Sequence, residues 1–461
     1  MGCAKNMVDS ERLLAATRRL GFRPTEDPSL ADLLVVNTCA FILPAATEAV
    51  DVILDVAVRR KPGARLAVVG CLASRYGEEL AKNLPEADLV MPPKDYRGFV
   101  SAVGAFFSES PARAAGVVCG GVSGDALSGV SGDVLNGVSG AGALFPGDFE
   151  TWERDRGGTP PWRAWLKIAE GCDNSCAYCL IPRLRGRLKV RPLSELAAEA
   201  ESLARSGVRE LTLVAQDLTA WREGKNNLAD LVERLGEIEG LVWIRLMYAY
   251  PERLGKKLVK RLAAVPKVAA YLDVPVQHAS PDVLGAMGRE AAAPLPLVEN
   301  LREWWPGVAL RTTLMVGFPG ETERDYQLLR EFMERARFDQ AGVFVFSPEE
   351  GTRAALMPGR VPGGVGRSRR RGLMSLQKKI SLAANKARVG REVLVLVEGP
   401  SADSDLVMTG RADFQAPEVD GLIIFDGHQP LPGRMVRARL LKAGPYDLAA
   451  SFDPDGPAVT G

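Results

Sequence analysis

Histidine is almost absent from the sequence, which has only His278 and His428 among its 461 residues. A Ser-His-Asp type of triad needs a histidine as general base, so hydrolysis or acyl transfer by that mechanism is nearly excluded. His428 lies in the turn sequence Asp-Gly-His and is expected to be incidental. No phosphate-binding loop or dinucleotide fingerprint is present either, because the glycines lack the strand–helix context that those motifs require.

Long apolar runs and a net charge are also missing. No stretch approaches the roughly 20 apolar residues that span a bilayer, and 58 basic side chains nearly balance 57 acidic ones. A formal net charge of +1 creates no global field that would draw the chain to nucleic acid or to a membrane. Seven cysteines without a secretory signal indicate a reducing compartment, where thiols bind metals instead of forming disulfides. We therefore expect a cytoplasmic protein with no membrane partner.

The densest functional signal is a cysteine triplet in C-x3-C-x2-C spacing, Cys172, Cys176 and Cys179. The apolar run Trp165–Ile168 predicts a short strand before it, and Gly171 permits a sharp turn of the backbone. Three thiolates on one loop can bind three irons of a cubane cluster and leave the fourth iron open to a small molecule. A disulfide or a zinc site is the alternative, but an odd number of thiols suits neither well, since structural zinc takes four ligands.

Three further cysteines occupy equivalent places in an amino-terminal pattern of alternating strands and helices. Two buried-strand patterns end at Cys39 and Cys71, and Cys3 precedes a helix whose predicted N-cap is Ser10 or Asp9. Alternating strands and helices predict a parallel sheet whose strand ends meet at one edge. The pattern therefore predicts a second three-thiolate site, although a buried structural thiol is the commoner state of any single free cysteine.

These features together resemble the methylthiotransferases, radical S-adenosylmethionine (AdoMet) enzymes with two 4Fe–4S clusters. The resemblance rests on GCAKNMVDSE, VVNTCAFI and VVGCLASRYGEEL around the amino-terminal cysteines and on the triplet, and it covers nearly the whole chain except residues 108–160. It implies that Cys3, Cys39 and Cys71 hold one cluster and that the triplet holds the other, with the open iron facing AdoMet. The family normally has a complete strand before its first cysteine, whereas only Met1 and Gly2 precede Cys3, so we expect either a misassigned start or a sheet that lacks an edge.

Four segments are predicted along the chain: a parallel-sheet α/β domain over 1–107, a linker over 108–160, a radical AdoMet barrel over 161–389 and a small β-barrel over 390–461. The linker contains an eight-residue repeat that begins at Gly121, Gly129 and Gly137. Gly, Ser and Ala bury too little apolar area to offset the loss of entropy, so we predict a flexible segment, with a short solenoid as the alternative. Cys119 lies just before the repeat and is excluded as a cluster ligand.

Regular alternation of strands and helices after the triplet predicts an open or partial TIM-type barrel with its chemistry at the carboxyl ends of the strands. By resemblance, the GFPGE segment binds AdoMet. A residue of the cysteine loop and residues that follow strands are expected to contact AdoMet as well. The predicted AdoMet contacts are Tyr178, Gln216, Gln277, Gly317, Gly320 and Glu321. An ordinary polar loop residue is the alternative for Gln216 and Gln277. Arg183 and Arg185 are expected either to pair with a carboxylate or to face solvent.

A basic amphipathic helix and a β-rich segment complete the chain. The helix carries Arg367, Arg369, Arg370, Arg371, Lys378 and Lys379. A solvated face is the default interpretation of such a cluster, and contact with ribosomal RNA is the alternative. From Val393 onward, short strands with Gly-rich turns predict a small β-barrel, which by resemblance is a TRAM domain.

The charge of that β-barrel bears on its partner. Residues 391–461 hold six basic and eleven acidic side chains, a net charge of −5. An acidic surface is poorly suited to phosphate and well suited to a basic protein. The acids expected to attract such a protein are Asp403, Asp405, Glu418, Asp420 and Asp426.

Within the family, the chain resembles the branch that modifies an aspartate in small-subunit ribosomal protein number twelve. The motifs GCAKNMVDSE, DVPVQHAS and FSPEEGT carry this resemblance, whereas the branch that modifies the adenosine beside the tRNA anticodon usually has sequences closer to GCQMN, PVQSGS and SPRPGT. The acidic β-barrel agrees, so tRNA is not expected as a partner. Methylthiolation of a tRNA adenosine is the alternative function, and a non-catalytic iron–sulfur electron carrier is a second one.

The resemblance also implies a mechanism. The reduced triplet cluster cleaves AdoMet, and the resulting radical removes hydrogen from the aspartate β-carbon. The amino-terminal cluster supplies a sulfur that a second AdoMet methylates, and the carbon radical captures it. No side chain is assigned as a catalytic acid or base, since the cofactors carry the difficult chemistry. An electron donor such as flavodoxin or ferredoxin is expected.

Overall fold

The structure of the protein, a computed structural model, describes residues 3–93, 96–107, 116–122, 154–157, 159–289, 294–427 and 429–453, with only the backbone for residues 96 and 116–122. The chain forms two compact units. The N-terminal unit comprises Met1–Gly158, Glu170–Asn174 and Leu180–Lys189, and the C-terminal unit comprises Thr159–Ala169, Ser175–Cys179 and Val190–Gly461. No helix in the described ranges is both long and apolar enough to cross a membrane.

The N-terminal unit is built on a parallel sheet. Its elements are α1 (Ala4–Arg19), β1 (Arg23–Pro24), β2 (Leu33–Thr38), α2 (Leu43–Arg59), β3 (Arg65–Gly70), α3 (Cys71–Asn83), β4 (Leu89–Met91), α4 (Tyr96–Phe107) and β5 (Gly116–Val122). The strand order is β1-β5-β2-β3-β4, and all the pairings are parallel. Every residue of β2 is buried, as expected for a strand covered by helices on both faces.

Two hydrophobic cores lie on opposite faces of this sheet. One gathers residues of α2 and α3 with Leu34, Leu66 and the later residue Leu184. The other gathers residues of α1 and α4 with Leu33 and Ala67. Because successive strand residues point to opposite faces, Leu33 and Leu34 enter different cores. The predicted α/β layering is confirmed.

Two local predictions for this unit are wrong. Helix α1 begins at Ala4 with Cys3 as its N-cap, not at Ser10, so the first cysteine sits directly at the helix start. Residues 116–122 fall inside the predicted linker, yet they form β5, which pairs with β2 in register and separates it from β1. The sheet therefore does not end at β2. The rest of the repeat, residues 123–150, lies outside the described residues.

The remaining elements follow in chain order. They are β6 (Arg163–Lys167), β7 (Ala169–Glu170), α5 (Ile181–Arg185), β8 (Lys189–Val190), α6 (Leu193–Arg205), β9 (Glu210–Val214), β10 (Arg222–Glu223), β11 (Asn226–Asn227), α7 (Leu228–Gly236), β12 (Trp243–Leu246), α8 (Lys256–Ala263), β13 (Val268–Asp273), α9 (Pro281–Ala286), α10 (Pro294–Trp304), β14 (Ala309–Val316), α11 (Glu323–Ala336), β15 (Gln340–Val345), α12 (Gly363–Lys386), β16 (Glu392–Ser401), β17 (Ser404–Ala412), β18 (Ile423–Phe425), β19 (Met435–Ala443) and β20 (Leu448–Phe452).

The C-terminal unit contains an open parallel barrel followed by a closed one. Strands β6, β9, β12, β13, β14 and β15 pair in this order, all parallel, which is the predicted partial TIM-type arrangement. In such a sheet the carboxyl ends of the strands meet at one edge, where loops carry the chemistry. Strands β16 to β20 close into a small barrel in the order β16-β17-β18-β20-β19.

Buried ion pairs join the small barrel to the open one. Glu210, the first residue of β9, accepts hydrogen bonds from Arg245 of β12 (2.6 Å, Nε to Oε1) and from Arg411 of β17. Arg411 also donates to Glu398 of β16 (2.9 Å, Nε to Oε1). Burial would raise the pKa of Glu210, but the charges of Arg411 and Arg245 outweigh it and lower the pKa to about 2.

A second contact corrects the expectation for the acidic surface. The side chain of Asp420 is fully buried, where it accepts from Arg311 (2.6 Å) and from the hydroxyl of Tyr271 (2.7 Å). Glu418 pairs with Arg163 (3.2 Å). Asp420 is therefore not available to a basic partner, whereas Glu418 stays exposed and is partly neutralised by Arg163. Asp403, Asp405 and Asp426 are exposed, as expected.

Candidate iron–sulfur and AdoMet site

Cys3, Cys39 and Cys71 lie where the chain enters or leaves the carboxyl edge of the N-terminal sheet. Cys3 is the N-cap of α1, Cys39 follows β2 directly, and Cys71 is the first residue of α3 after β3. All three are free thiols. Burial, and after it the neighbouring Cys3 thiol, raises the pKa of Cys39 to about 11, and Cys71 adds to the effect. The structure therefore brings these three cysteines together.

Hydrogen bonds among the strand ends hold this arrangement. Asn6 Nδ2 donates to the carbonyl of Thr38 (2.9 Å), which fastens the start of α1 to the end of β2. Thr38 Oγ1 donates to the carbonyl of Val69 (2.7 Å) and accepts from the N–H of Leu72 (3.1 Å), which fastens β2 to β3 and α3. Gly70 has φ +105°, and a Cβ there would lie 2.5 Å from the carbonyl oxygen of Thr38. Only glycine fits at this position, directly before Cys71.

Arg185, at the end of α5, is buried among these residues with 2% of its surface exposed. Its Nε lies 3.2 Å from Cys71 Sγ, and its Nη1 donates to Asp9 (2.9 Å) and Glu170 (3.2 Å). Its Nη2 donates to Asn6 Oδ1 (2.6 Å). Of the two alternatives for this residue, pairing with a carboxylate is confirmed. Sequence reasoning missed its contact with a thiol, because 114 residues separate Arg185 from Cys71.

Cys172, the first cysteine of the triplet, belongs to the N-terminal unit and is buried. Its N–H donates to the carbonyl of Gly186 (3.0 Å), and its Sγ accepts from the N–H of Asn174 (3.4 Å). Gly171 has φ +77°, and a Cβ there would lie 2.2 Å from the carbonyl oxygen of Arg187. The sharp turn predicted at Gly171 is thus required by a close approach of two backbone segments.

Cys176 and Cys179 belong to the C-terminal unit, where Tyr178, Tyr250 and Arg289 surround them. The hydroxyl of Tyr250 is 3.7 Å from Cys176 Sγ. The guanidinium of Arg289 lies over the Tyr250 ring, 4.2 Å from its centroid, and donates to the hydroxyl of Tyr178 (3.3 Å). Burial and then the Cys176 thiol raise the pKa of Tyr178 well above its usual range, so this hydroxyl stays protonated. Tyr250 and Arg289 were missed from sequence, although Tyr250 follows β12 at the barrel's carboxyl edge.

The strand-end residues predicted to contact AdoMet lie at the carboxyl edge of the open barrel. Gln216 follows β9, and Gln277 lies beyond β13 in a left-handed conformation with φ +70°. Gln277 pairs its backbone with β14 through a hydrogen bond to the carbonyl of Thr313 (2.9 Å). Gly317 and Gly320, directly after β14, have φ +74° and +84°. The structure thus sets Gln277 beside the glycine-rich segment, and the contacts of these residues with AdoMet stay a prediction.

Glu321 has an internal role in this segment. Its carboxylate is buried, accepts from the N–H groups of Gly317 and Phe318 (3.1 Å to Phe318), and lies 3.3 Å from the guanidinium of Arg369. His278 accepts a backbone N–H at Nδ1 and places Nε2 3.8 Å from the same carboxylate. Glu321 therefore shapes the loop that it was predicted to share with AdoMet. His428, expected to be incidental, lies outside the described residues.

The donor set fits iron–sulfur clusters better than a single ion. In the part of the chain that the structure describes, no three cysteine, histidine or carboxylate side chains converge on one metal ion. Structural zinc takes four ligands, whereas a cubane takes three thiolates, each at a different corner iron, and leaves the fourth iron open. None of these six cysteines takes part in a disulfide within the described residues. The side chain of Cys119 is not among the described atoms, so its exclusion as a ligand stays a prediction.

Comparisons with known proteins divide the chain into three matched regions. Residues 1–92 match the uncharacterized protein family UPF0004, residues 166–333 match the radical SAM superfamily, and residues 389–452 match the TRAM domain. The three regions follow the α/β sheet, the open barrel and the small closed barrel.

Similar proteins extend over almost the entire chain. A ribosomal protein uS12 methylthiotransferase RimO from Trichlorobacter lovleyi is 42% identical over 460 residues, covering 98% of this chain and 96% of the relative. A protein of the same name from Myxococcus xanthus is 41% identical and covers 98% and 90%. Among solved structures, the radical S-adenosylmethionine methyltransferase TsrM from Kitasatospora setae has a TM-score of 0.47 and 15% identity, covering 72% of this chain and 63% of that one.

Proposed function

Because the chain belongs to the ribosomal protein uS12 methylthiotransferase family of radical AdoMet enzymes, we propose that it attaches a methylthio group to the β-carbon of an aspartate in ribosomal protein uS12. Enzymes of this family use AdoMet and two 4Fe–4S clusters. The observation that carries the proposal is the presence of two separate sets of three cysteines that form no disulfide within the described residues, one of which the fold gathers at a sheet edge.

Each set is assigned one cluster. Cys3, Cys39 and Cys71 hold the auxiliary cluster, and Cys172, Cys176 and Cys179 hold the cluster that binds AdoMet. When bound, the clusters and AdoMet supply the electron, the radical chemistry and the sulfur. With three protein ligands, a cubane keeps one iron open for a small molecule or a sulfur donor.

The protein's own residues position and polarise these groups. Arg185 places a buried positive charge 3.2 Å from Cys71 Sγ, which favours the thiolate as a metal ligand. Tyr250 sets a hydroxyl 3.7 Å from Cys176 Sγ, and Arg289 holds that ring from its face. Such outer contacts orient the ligands and tune the cluster that they bind.

The AdoMet contacts are assigned to the carboxyl edge of the open barrel. Gly317 and Gly320 leave room for a close approach of the backbone to the cofactor. Glu321 keeps that backbone in place by accepting two of its N–H groups. Gln216, Gln277 and Tyr178 complete the assigned set. An electron donor such as flavodoxin or ferredoxin supplies the reducing equivalent.

The assigned substrate is a protein and not tRNA. Ribosomal proteins are basic, and the small barrel presents exposed acids at Asp403 in the β16–β17 turn, at Asp405 near the start of β17 and at Asp426 after β18. Opposite charges speed the encounter of two proteins. The motifs GCAKNMVDSE, DVPVQHAS and FSPEEGT support the same branch.

The test is modification of purified uS12 by anaerobically reconstituted enzyme with AdoMet and a reductant, read by peptide mass spectrometry. We expect one aspartate to gain a methylthio group. Matched triple variants, with Ala at either set of three cysteines, should both lose the product, but only the variant of Cys172, Cys176 and Cys179 should also lose AdoMet cleavage. Modification of an anticodon-loop adenosine in a parallel tRNA reaction, with uS12 untouched, would contradict the substrate assignment.

A further inference from the structure

The charges of this nearly neutral chain are distributed very unevenly. From Gly351 to Arg391 there are eleven Lys and Arg residues and no Asp or Glu. The formal charge of the whole chain is +1, so all other residues together carry −10. This excess lies mainly on α12, which connects the open barrel to the small barrel.

Part of the excess is used inside the molecule. Arg369 pairs with Glu321 (3.3 Å) and Glu323 (3.2 Å) and is buried. Arg370 donates to the carbonyl of Val343 (2.9 Å). Arg388, beyond the helix end, pairs with Asp339. Three of the basic residues therefore attach α12 and its C-terminal extension to the barrel.

Five others remain on the outer face, and we call them the basic stripe: Arg367, Arg371, Lys378, Lys379 and Lys386. All five are exposed, and none of them forms an ion pair with a carboxylate within the described residues. At 100° per residue they fall within about 120° of the helix circumference, and at 1.5 Å per residue they extend over about 28 Å. A solvated helix face normally mixes both signs of charge, which relieves repulsion between like charges at i, i+4. The segment from Gly351 to Arg391 contains no Asp or Glu, so the helix itself supplies no opposite charge that would relieve this repulsion.

The opposite face of α12 is already occupied. Leu373, Gln377 and Ser381 are buried, and the helix packs against β15, α11 and β19. Gln377 and Ser381 donate to the carbonyls of Phe338 (2.8 Å) and Asp339 (2.7 Å). A membrane-surface helix needs a free apolar face beside its basic one, and α12 has none to offer.

We propose that the basic stripe binds the phosphate backbone of the small-subunit ribosomal RNA that surrounds uS12, so that the enzyme engages its substrate within an RNA-bound particle. This inference rests on the proposed function, since uS12 brings its own RNA to the enzyme. A line of cations without base-specific partners is suited to phosphates and positions a protein without reading sequence. The acidic turn of the small barrel and the basic stripe would then contact the protein and the RNA of one particle, respectively.

The test is the salt dependence of binding of the reconstituted full chain to purified small ribosomal subunits, measured by fluorescence anisotropy. The stripe variant is Arg371→Gln with Lys378→Gln and Lys379→Gln. The matched control is Lys225→Gln with Lys257→Gln and Lys260→Gln, which removes the same charge from exposed lysines elsewhere on the same unit. Each lost phosphate contact lowers the slope of log affinity against log salt by about 0.9. Over a fourfold increase in salt, the wild type should therefore lose roughly forty-fold more affinity than the stripe variant.

Equal slopes for the stripe variant and the control would overturn the proposal. Tighter binding of free tRNA than of the small subunit, lost in the stripe variant, would also overturn it, because the stripe would then serve tRNA. Failure of the wild type to modify uS12 both as the free protein and within the small subunit contradicts the proposed function instead, and it leaves the salt slopes as an independent measurement. If the protein binds through the basic stripe to vesicles with 30% phosphatidylserine but not to the small subunit, the stripe serves a lipid surface and the proposal of RNA binding is refuted.

Discussion

At the scale of single residues, Arg185 is the side chain with the most direct expected effect on a cluster. A buried positive charge beside Cys71 stabilises the more negative, reduced form of a cluster bound there. Arg185→Met should therefore lower the midpoint potential of the auxiliary cluster by about 59 mV, which corresponds to a tenfold change in the one-electron reduction equilibrium. The measurement is a redox titration followed by electron paramagnetic resonance, in full-length protein with Ala at Cys172, Cys176 and Cys179.

The control for this prediction is Arg183→Met, because Arg183 lies in the same helix and is exposed. Asp9→Asn should shift the potential in the opposite direction, since it removes a negative charge from the same group and leaves Arg185 in place. If the substitutions merely loosened the fold, they would not shift the midpoint potential in opposite directions. An unchanged potential in both variants would refute the electrostatic role of Arg185.

Gly70 allows a second test at this scale. Gly70→Ala forces an unfavourable φ and a Cβ 2.5 Å from a carbonyl oxygen, and it displaces the start of α3 where Cys71 lies. We expect the iron content to fall from about eight to about four per chain, because one of two cubanes is lost. Gly63→Ala is the matched control, since Gly63 also has a positive φ but has open space around it. Equal iron loss in both variants would mean that backbone strain alone is responsible.

At the scale of elements, the buried pairs of Glu210 join β9, β12 and β17. Glu210→Gln leaves Arg411 and Arg245 without their shared carboxylate, and breaking such a buried pair costs about 3–5 kcal/mol of unfolding free energy. Glu418→Gln, at a half-exposed pair of the same barrel, should cost about 1 kcal/mol or less. Chemical denaturation of the full-length variants, followed through the unfolding of the C-terminal unit, measures both losses of unfolding free energy. Similar losses in the two variants would show that burial of the pair does not matter.

The pH dependence of this contact follows from the lowered pKa of Glu210. The folded-state pKa is about 2, below the usual value of 4.5, so its stabilisation is complete above pH 4.5 and is lost as pH falls toward 2. The stability difference between wild type and Glu210→Gln should therefore be constant from pH 5 to pH 8 and shrink below 4.5. A difference that grows on acidification would contradict this sign.

The β16–β17 turn is the element through which the small barrel is expected to attract uS12. Asp403→Lys together with Asp405→Lys should slow association with the basic protein several-fold, mainly through the on-rate, because rim charges steer encounter. Asp413→Lys is unsuitable as a control, since the Asp413 side chain is only partly exposed and lies near the charges of Arg245 and Arg388. Glu239→Lys with Glu331→Lys is the matched control, because it changes the same charge at exposed positions on the same unit. Stopped-flow kinetics with labelled uS12 should separate the two pairs of variants.

At the scale of the whole molecule, iron content tests the assignment of the six cysteines together. Reconstituted protein should hold about eight irons per chain, and Ala at either set of three cysteines should leave about four. Cys119→Ala should retain the full content, which makes it the control. Loss of iron in that variant would show that the choice of ligands is wrong.

Much of the site could be predicted from sequence, because its strongest signals are local. The spacing of Cys172, Cys176 and Cys179 places three thiols on one loop whatever the rest of the chain does. Cys39 and Cys71 end strands of a parallel sheet, and parallel strands end at one edge. Tyr250 and Arg289 were missed because their importance depends on which neighbours the barrel brings to them.

The remaining errors came from long-range contacts. Ser10 was a good N-cap by composition, but α1 begins at Ala4, where the Asn6 side chain bonds the end of β2. Residues 116–122 looked like a linker by composition, yet the backbone hydrogen bonds of β2 recruit them as β5. Asp420 looked like a surface acid until Arg311 and Tyr271 enclosed it.

The sequence by itself determined the order of the three folded regions and the two sets of cysteines, because spacing and periodicity act over a few residues. Its motifs also resemble one enzyme family, and that resemblance implied the class of chemistry. Only the tertiary structure decided which charges are used internally and which remain for partners. Arg185, Arg369 and Asp420 are buried in ion pairs, whereas Arg371 and Asp403 face solvent. Burial makes an unpaired charge costly, so each buried one finds a partner that is distant in sequence, and composition cannot name that partner.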